Sequence, residues 1–377
     1  MDLRFTEQQE ILKKSARDFL TKECPKAKVR ELEHDAKGYD PDLWQKMADL
    51  GWLGFNIPEE YEGMGYSFED LTVHMEEVGR NILPGPYMST VVNTFAIVAA
   101  GADELKKDLL PKISYGKCIL TLAWLEENGQ FDASGITLKA AQKGSDFVLN
   151  GTKVFVDGAH IADNMIVVAR TKESAKAEDG VTLFVVDAKA AGIKSTVIPT
   201  IAHDHLCEVV FKDVAVPAKN VLGKVDKGWE ILQMIIRKGS ILKSAESLGG
   251  LQSVVEMTVA YSKERVQYDR PIGAFQALQH KMSDMWIAMG TSKYLLYEAA
   301  WMESNGIPNA KEASMAKAYI NEAYKLVGAL GVKLHGGIGT SYDHDVPLFF
   351  RRAKAADTVY GSTDYHRELV AQFIGLK

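Results

Sequence analysis

The chain has 377 residues, 46% of them hydrophobic, enough for one large domain or two to three ordinary ones with sizeable cores. Its formal charge of -6, from 44 Lys and Arg against 50 Asp and Glu, offers no general attraction to phosphate backbones or anionic membranes, so nucleic acid is not an expected partner. Cys24, Cys118 and Cys207 are far apart, odd in number and outside any CxxC; together with a polar N-terminal stretch and no run near the ~18 apolar residues of a membrane helix, they lead us to expect a cytoplasmic protein without membrane insertion.

Thr6 and Gln9 form a capping box ahead of Ile11, Leu12, Ala16, Phe19 and Leu20 at helical spacing, which marks a helix start. Helical patterns continue through PDLWQKMADLGWLG and SFEDLTVHMEEVGRNIL, broken by the turn-rich IPEEYEGMGY, and then to Tyr115. The character then changes. CILTLAWL, DFVLNGTKVFVDG, NMIVVAR, VTLFVVD and EVVFKDVAV are short, rich in Val, Ile, Phe and Leu, and separated by turn residues, as strands are. Asn150-Gly151 lies between two such runs and reads as a hairpin turn, because both turn positions favour positive φ. From Trp229 long helical periodicities return. The expected class is α+β, with boundaries at 1–116 (helical), 117–226 (β) and 227–377 (helical).

HGGIG, at His335–Gly339, admits a phosphate cradle, an oxyanion hole or a close helix contact. An esterase needs a G-x-S-x-G nucleophile elbow, and the chain has none. His203-Asp204-His205 and Asp343-His344-Asp345 lack a second pair of ligands at recognisable spacing, so polar loops are expected there and no metal site.

ERVQYDRPIGAFQALQHKMSDM, at 264–285, changes the balance. With Arg265, Gln276 and the later HGGIG, it resembles the acyl-CoA dehydrogenase family of flavoproteins along essentially the whole chain. The family glycine after the aromatic Tyr268 is Asp269 here. The resemblance implies an N-terminal helical domain, a middle β-barrel-like domain and a C-terminal four-helix bundle. It also implies FAD shared between subunits of a homotetramer or heterotetramer, an acyl-CoA substrate, and electron-transfer flavoprotein as the electron partner. Arg265, Gln276, Gly336, Gly337 and Lys333, which replaces a family Gln, would then hold the diphosphate and adenine part of a neighbour's FAD.

Family chemistry moves an α-proton to a carboxylate and a β-hydride to flavin N5. In short- and medium-chain members the carboxylate is the Glu of Tyr-Glu-Gly-Thr, and the matching residue here is Tyr360, before Gly361. A phenol with pKa near ~10 is a poor base at neutral pH, although its backbone N–H remains available to a thioester oxygen. The other family position, on the first helix of the C-terminal domain, aligns with Gly239, followed by Ser240. Glu246, seven residues on and surrounded by Ala245, Ser247, Gly249 and Gly250, lies two turns further along the same face. Its A-E-x-x-G-G setting is similar to that of dicarboxylate- and steroid-degrading members, which makes Glu246 the expected base and Asp364 its rival.

The segment that lines the flavin in the family, Thr-Glu-Pro-x-x-Gly-Ser-Asp, is LEENGQFD here, so Leu125 and Phe131 replace two hydroxyls. The family Trp-Ile-Thr appears as Phe155-Val156-Asp157: Phe155 still covers a ring edge, whereas Asp157 opposes an anionic reduced flavin unless it is protonated or turned away. These departures leave three readings: a working FAD enzyme for a bulky, cyclic or dicarboxylic acyl group, a subunit of a heteromeric dehydrogenase with a weak site of its own, or an enzyme with altered elimination chemistry on a CoA ester.

Overall fold

The computed structural model describes residues 4–376. In chain order, six helices come first: α1 (Glu7–Glu23), α2 (Lys26–Leu32), α3 (Pro41–Asp49), α4 (Phe68–Asn81), α5 (Tyr87–Ala100) and α6 (Asp103–Ser114). Eight strands follow: β1 (Leu120–Ala123), β2 (Lys139–Lys143), β3 (Asp146–Asp157), β4 (Asn164–Arg170), β5 (Val181–Asp187), β6 (Ile193–Val197), β7 (Leu206–Val216) and β8 (Val221–Leu222). The C-terminal region holds α7 (Trp229–Glu264), the small hairpin β9 (Val266–Gln267) and β10 (Arg270–Pro271), α8 (Gln276–Ser304), α9 (Ala310–His335), α10 (Val346–Ala356) and α11 (Thr363–Phe373). The helix, strand, helix order is the one the sequence implies, and the capping box at Thr6 forms with both of its hydrogen bonds, at 3.2 and 3.1 Å.

Two compact units result. One contains Glu31–Ser67 and Pro84–Ile236; the other contains the chain up to Arg30, Phe68–Leu83 and everything from Arg237. The N-terminal helices are therefore shared out: α1 and α4 belong with the C-terminal helices, while α3, α5 and α6 belong with the sheet.

The sheet unit is built on eight strands in the order β6-β7-β3-β2-β4-β5-β8, with β1 parallel to β4. β4 and β5 are buried at almost every position, which explains their unbroken Val, Ile and Leu runs. Asn150-Gly151 is not a turn. Both residues lie inside β3, where Gly151 sits at φ 147 at a register shift against β7 and Asn150 donates through Nδ2 to Asp213 Oδ1 at 3.1 Å. The hairpin is made earlier, at Gly144-Ser145, with Lys143 paired to Asp146 and Gly144 at φ 67. A glycine serves a bulge as well as a turn, and the long β7 partner carries β3 straight through the Asn-Gly pair.

In the helical unit, α4 crosses α7 at two glycines. A Cβ on Gly79 would lie 2.7 Å from the Cα of Glu246, and one on Gly249 would lie 2.8 Å from the carbonyl carbon of Glu76. This is why AESLGGL is rich in small residues. At the same crossing Glu76 and Glu77 are fully buried, and charge pairs satisfy them: Lys13 and Tyr297 Oη (2.5 Å) reach Glu76, and Arg17 grips Glu77 with two bonds of 2.7 and 2.8 Å. Among the described residues, no helix is long and apolar enough to cross a membrane.

Candidate functional site

α7 and α9 run side by side in the helical unit: Gly331 faces Val254 and Thr258, and the His335 ring stacks on Tyr261 at 4.5 Å. Their C-terminal ends therefore meet, and the β9–β10 hairpin returns the chain to the start of α8 at the same end. Its turn residues Tyr268 and Asp269 both have positive φ, 52° and 61°, so the position where the family has glycine is left-handed, and Asp tolerates that conformation. Arg265, Gln276, Lys333, Gly336 and Gly337 are thus gathered at one end of the unit, all of them exposed. Gly336, at φ 66 and ψ -140, adopts a conformation reserved for glycine. A Cβ on Gly337 would meet nothing within 4 Å, so packing within this chain does not account for its lack of a side chain.

A second constellation surrounds Tyr360. Its ring packs directly on Gly239, where a Cβ would lie 2.6 Å away, so the two positions at which the family carries its acid converge in space. Tyr360 is only 8% exposed and is held at φ 58, followed by Gly361 at φ 106. Below this turn His366 Nε2 donates to the Tyr360 carbonyl at 2.9 Å, and Ser314 Oγ lies 3.2 Å from Nδ1. Asp357 ties the start of the turn to α9 and α11 by accepting from Asn321 (3.0 Å), Lys325 (2.8 Å) and Thr363 Oγ1 (2.5 Å). Lys317, fully buried, donates to Asn321 Oδ1 and the Ala356 carbonyl, both at 2.7 Å, and burial holds its pKa well below the usual lysine value.

Burial, reinforced by Lys317, lowers the pKa of His366 to about 4; burial alone lowers that of His74 on α4 to about 3. Both rings are neutral when folded and ordinary, with pKa near 6.5, when unfolded. Their stabilisation is therefore complete above pH 6.5 and is lost as pH falls toward those folded values. Between pH 7 and pH 5 each costs about 2 kcal/mol, and the melting temperature of the helical unit is expected to drop on the order of 10 °C. A melting temperature that stays flat over that range rules this out.

Glu246 lies on the α7 face that carries Gly239, about 10 Å further along the helix axis. Its carboxylate pairs with Lys243 at 2.6 Å, and the side chain is 17% exposed. It lines a cavity of about 10 Å³ with Gly79, Lys243, Ser247, Tyr324 and Arg352, room for one water molecule. Ser247 Oγ and Arg352 Nε, both buried atoms, have no hydrogen-bond partner and are available to such a water. Asp364 stands in the first turn of α11 with its side chain 95% exposed, 3.8 Å from Arg367.

In the sheet unit, Leu125 is half-buried, and its carbonyl accepts from the Val154 N–H at 2.9 Å. Phe131, also half-buried, packs against Trp124 at 5.7 Å between ring centroids. Phe155 is 55% exposed at φ 55, within the second register shift of β3, and the Asp157 carbonyl accepts from Thr121 Oγ1 at 2.6 Å. A buried pair that the sequence did not flag anchors this surface. Glu126 accepts from the Thr137 and Leu138 N–H groups, each at 2.9 Å, from the Thr137 hydroxyl, and from Lys153 Nζ at 2.7 Å, while Lys153 also reaches the Trp124 carbonyl at 3.0 Å. The only sequence signal was a lysine at an inward position of an alternating strand. His205 Nε2 bonds to the Asp35 carbonyl at 2.7 Å and Arg30 Nη2 to Asp345 at 2.7 Å, so both polar loops serve packing; among the described residues no cluster of three His, Cys, Asp or Glu side chains is placed to hold a metal ion.

Models of the acyl-CoA dehydrogenase N-terminal, middle and C-terminal domains match residues 6–117, 121–214 and 226–375. The chain belongs to the acyl-CoA dehydrogenase family. It is 31% identical to the 3-(aryl)acrylate reductase of Clostridium sporogenes over 97% of this chain and 98% of that one. It is 30% identical to the caffeyl-CoA reductase-Etf complex subunit CarC of Acetobacterium woodii over 99% of each. Butyryl-CoA dehydrogenase from Megasphaera elsdenii superposes with a TM-score of 0.92 at 28% identity, over 99% of this chain and 100% of that one. As an acyl-CoA dehydrogenase the protein is an oxidoreductase acting on the CH–CH bond of a CoA thioester, and FAD is its cofactor. The residues present fit that cofactor. The open backbone at Gly336-Gly337 would admit a phosphate, and Arg265 at the same end would supply a planar set of donors.

Proposed function

We propose that this acyl-CoA dehydrogenase interconverts a saturated and an α,β-unsaturated CoA thioester whose acyl group is bulky, cyclic or dicarboxylic, with Glu246 taking the α-proton. Bound FAD supplies the hydride acceptor, or the donor in the reverse direction. The observation that carries the reading is the setting of Glu246: a shielded carboxylate, paired with Lys243 at 2.6 Å, on the α7 face of Gly239 and beside a water-sized cavity. Asp364 is solvated and lacks such a setting. Tyr360 contributes its backbone N–H to the thioester oxygen rather than its phenol to the α-proton.

On this reading Arg265, Gln276, Lys333, Gly336 and Gly337 hold the diphosphate and adenine of FAD bound to a neighbouring subunit of a homotetramer or heterotetramer. Leu125, Phe131 and Phe155 offer the flavin ring apolar contact in place of the family hydroxyls, and Asp157 at the end of β3 lies next to that surface. The name of the Clostridium sporogenes relative supports a ring-bearing acyl group, and that of the Acetobacterium woodii relative supports electron-transfer flavoprotein as the electron partner.

The purified chain, reconstituted with FAD, is expected to bleach near 450 nm (the usual flavin band) when a ring-bearing acyl-CoA is added anaerobically, and its dithionite-reduced form to reoxidise with the matching enoyl-CoA. Failure with every member of a linear, branched, cyclic and dicarboxylic panel, despite bound flavin, rejects the substrate reading. Absence of flavin favours the heteromeric one.

A further inference from the structure

We infer that His366 is a positioning residue that, by gripping the Tyr360 carbonyl, holds Tyr360 in the positive-φ conformation that directs its N–H toward the thioester oxygen; the inference rests on that role of the N–H. A tyrosine at φ 58 occupies a backbone region that L side chains rarely adopt, so surrounding contacts must impose it. The Tyr360 ring lies on Gly239 and the Gly361 N–H donates to the Thr358 carbonyl at 3.4 Å, while the Tyr360 carbonyl is gripped by the His366 ring. His366 is 2% exposed, its Nε2 lies 2.9 Å from the Tyr360 carbonyl, and a Cβ on Gly361 would lie 2.6 Å from the same nitrogen. Carbonyl and α-carbon of consecutive residues thus rest on a single imidazole edge.

The hydrogen-bond chemistry assigns the tautomer. A carbonyl can only accept, so Nε2 carries the hydrogen; in a neutral ring Nδ1 must then accept, and the Ser314 hydroxyl at 3.2 Å is its donor. Burial, and after it Lys317 one turn beyond Ser314 on α9, opposes a second proton on the ring and so keeps Nδ1 an acceptor. Ser314 therefore sets His366, His366 sets the Tyr360 carbonyl, and the backbone angles of Tyr360 carry that constraint to its N–H.

The test compares His366→Phe, which retains a flat ring without hydrogen bonds, with His366→Gln, whose amide offers both a donor and an acceptor group. The readouts are kcat, KM and the carbonyl stretch of a bound CoA thioester carrying a labelled carbonyl carbon. Wild-type enzyme is expected to lower that frequency relative to the free thioester. His366→Phe should lose most of the shift and about 10²-fold in kcat with KM changed only a few-fold, and His366→Gln should recover both. A shift retained in His366→Phe, or His366→Gln no better than a folded His366→Phe, overturns the proposal. Should His366→Phe fail to fold, Ser314→Ala decides: a reduced shift supports the proposal and an unchanged one overturns it. No shift in the wild-type enzyme overturns the N–H reading itself, and this proposal with it.

Discussion

Glu246→Gln is expected to lower kcat with a CoA ester by about 10³-fold while FAD content is retained. Glutamine keeps the shape and one accepting oxygen but cannot take a proton, so the loss reports proton transfer rather than packing. Lys243 then faces a neutral amide, and the melting temperature should fall by the equivalent of about 1 kcal/mol, the ordinary value of a partly exposed pair. Exchange of the α-hydrogen with deuterated solvent, followed by NMR on the CoA ester without turnover, should be lost in parallel. If Glu246→Gln retains activity and exchange within threefold while Asp364→Asn loses both, the base is the exposed carboxylate and the assignment fails. The water-sized cavity predicts an intermediate behaviour for Ser247→Ala, which removes one polar group from the cavity wall without touching the acid.

Gly79→Ala should have the largest effect on stability. Replacing a glycine in a helix interior by alanine ordinarily gains about 1 kcal/mol. Here the added methyl would lie 2.5 Å from the carbonyl carbon and 2.7 Å from the Cα of Glu246, both backbone atoms, so no rotamer change relieves it. α4 and α7 must separate, which strips contacts from the buried Glu76 and Glu77 pairs at the same crossing. A loss of about 3–5 kcal/mol follows. The control is Gly290→Ala on α8, where a Cβ meets nothing within 4 Å and the ordinary small gain should appear. Chemical denaturation of the two variants checks both signs, and a Gly79→Ala protein as stable as wild type would refute the close crossing.

The sequence by itself determined the element order, the helix start at Thr6, the strand-rich middle and the small-residue wall around Glu246, because periodicity, caps and residue size act over a few neighbouring positions. It also carried the family, through Arg265, Gln276 and HGGIG. It misread Asn150-Gly151, since a turn and a bulge ask the same of glycine, and only the pairing of β3 with β7 chooses between them. The division of the first helices between two units was equally hidden, because an amphipathic stripe states that a face is buried and not against what. The same holds at the site. Gly239 and Tyr360 lie 121 positions apart, and their convergence, like the Glu126–Lys153 anchor and the His366 contact beneath Tyr360, exists only once the helices and strands have packed. Local preferences are written residue by residue, whereas the environment that ionises a carboxylate or strains a peptide is supplied by partners distant along the chain, and tertiary structure alone brings them together.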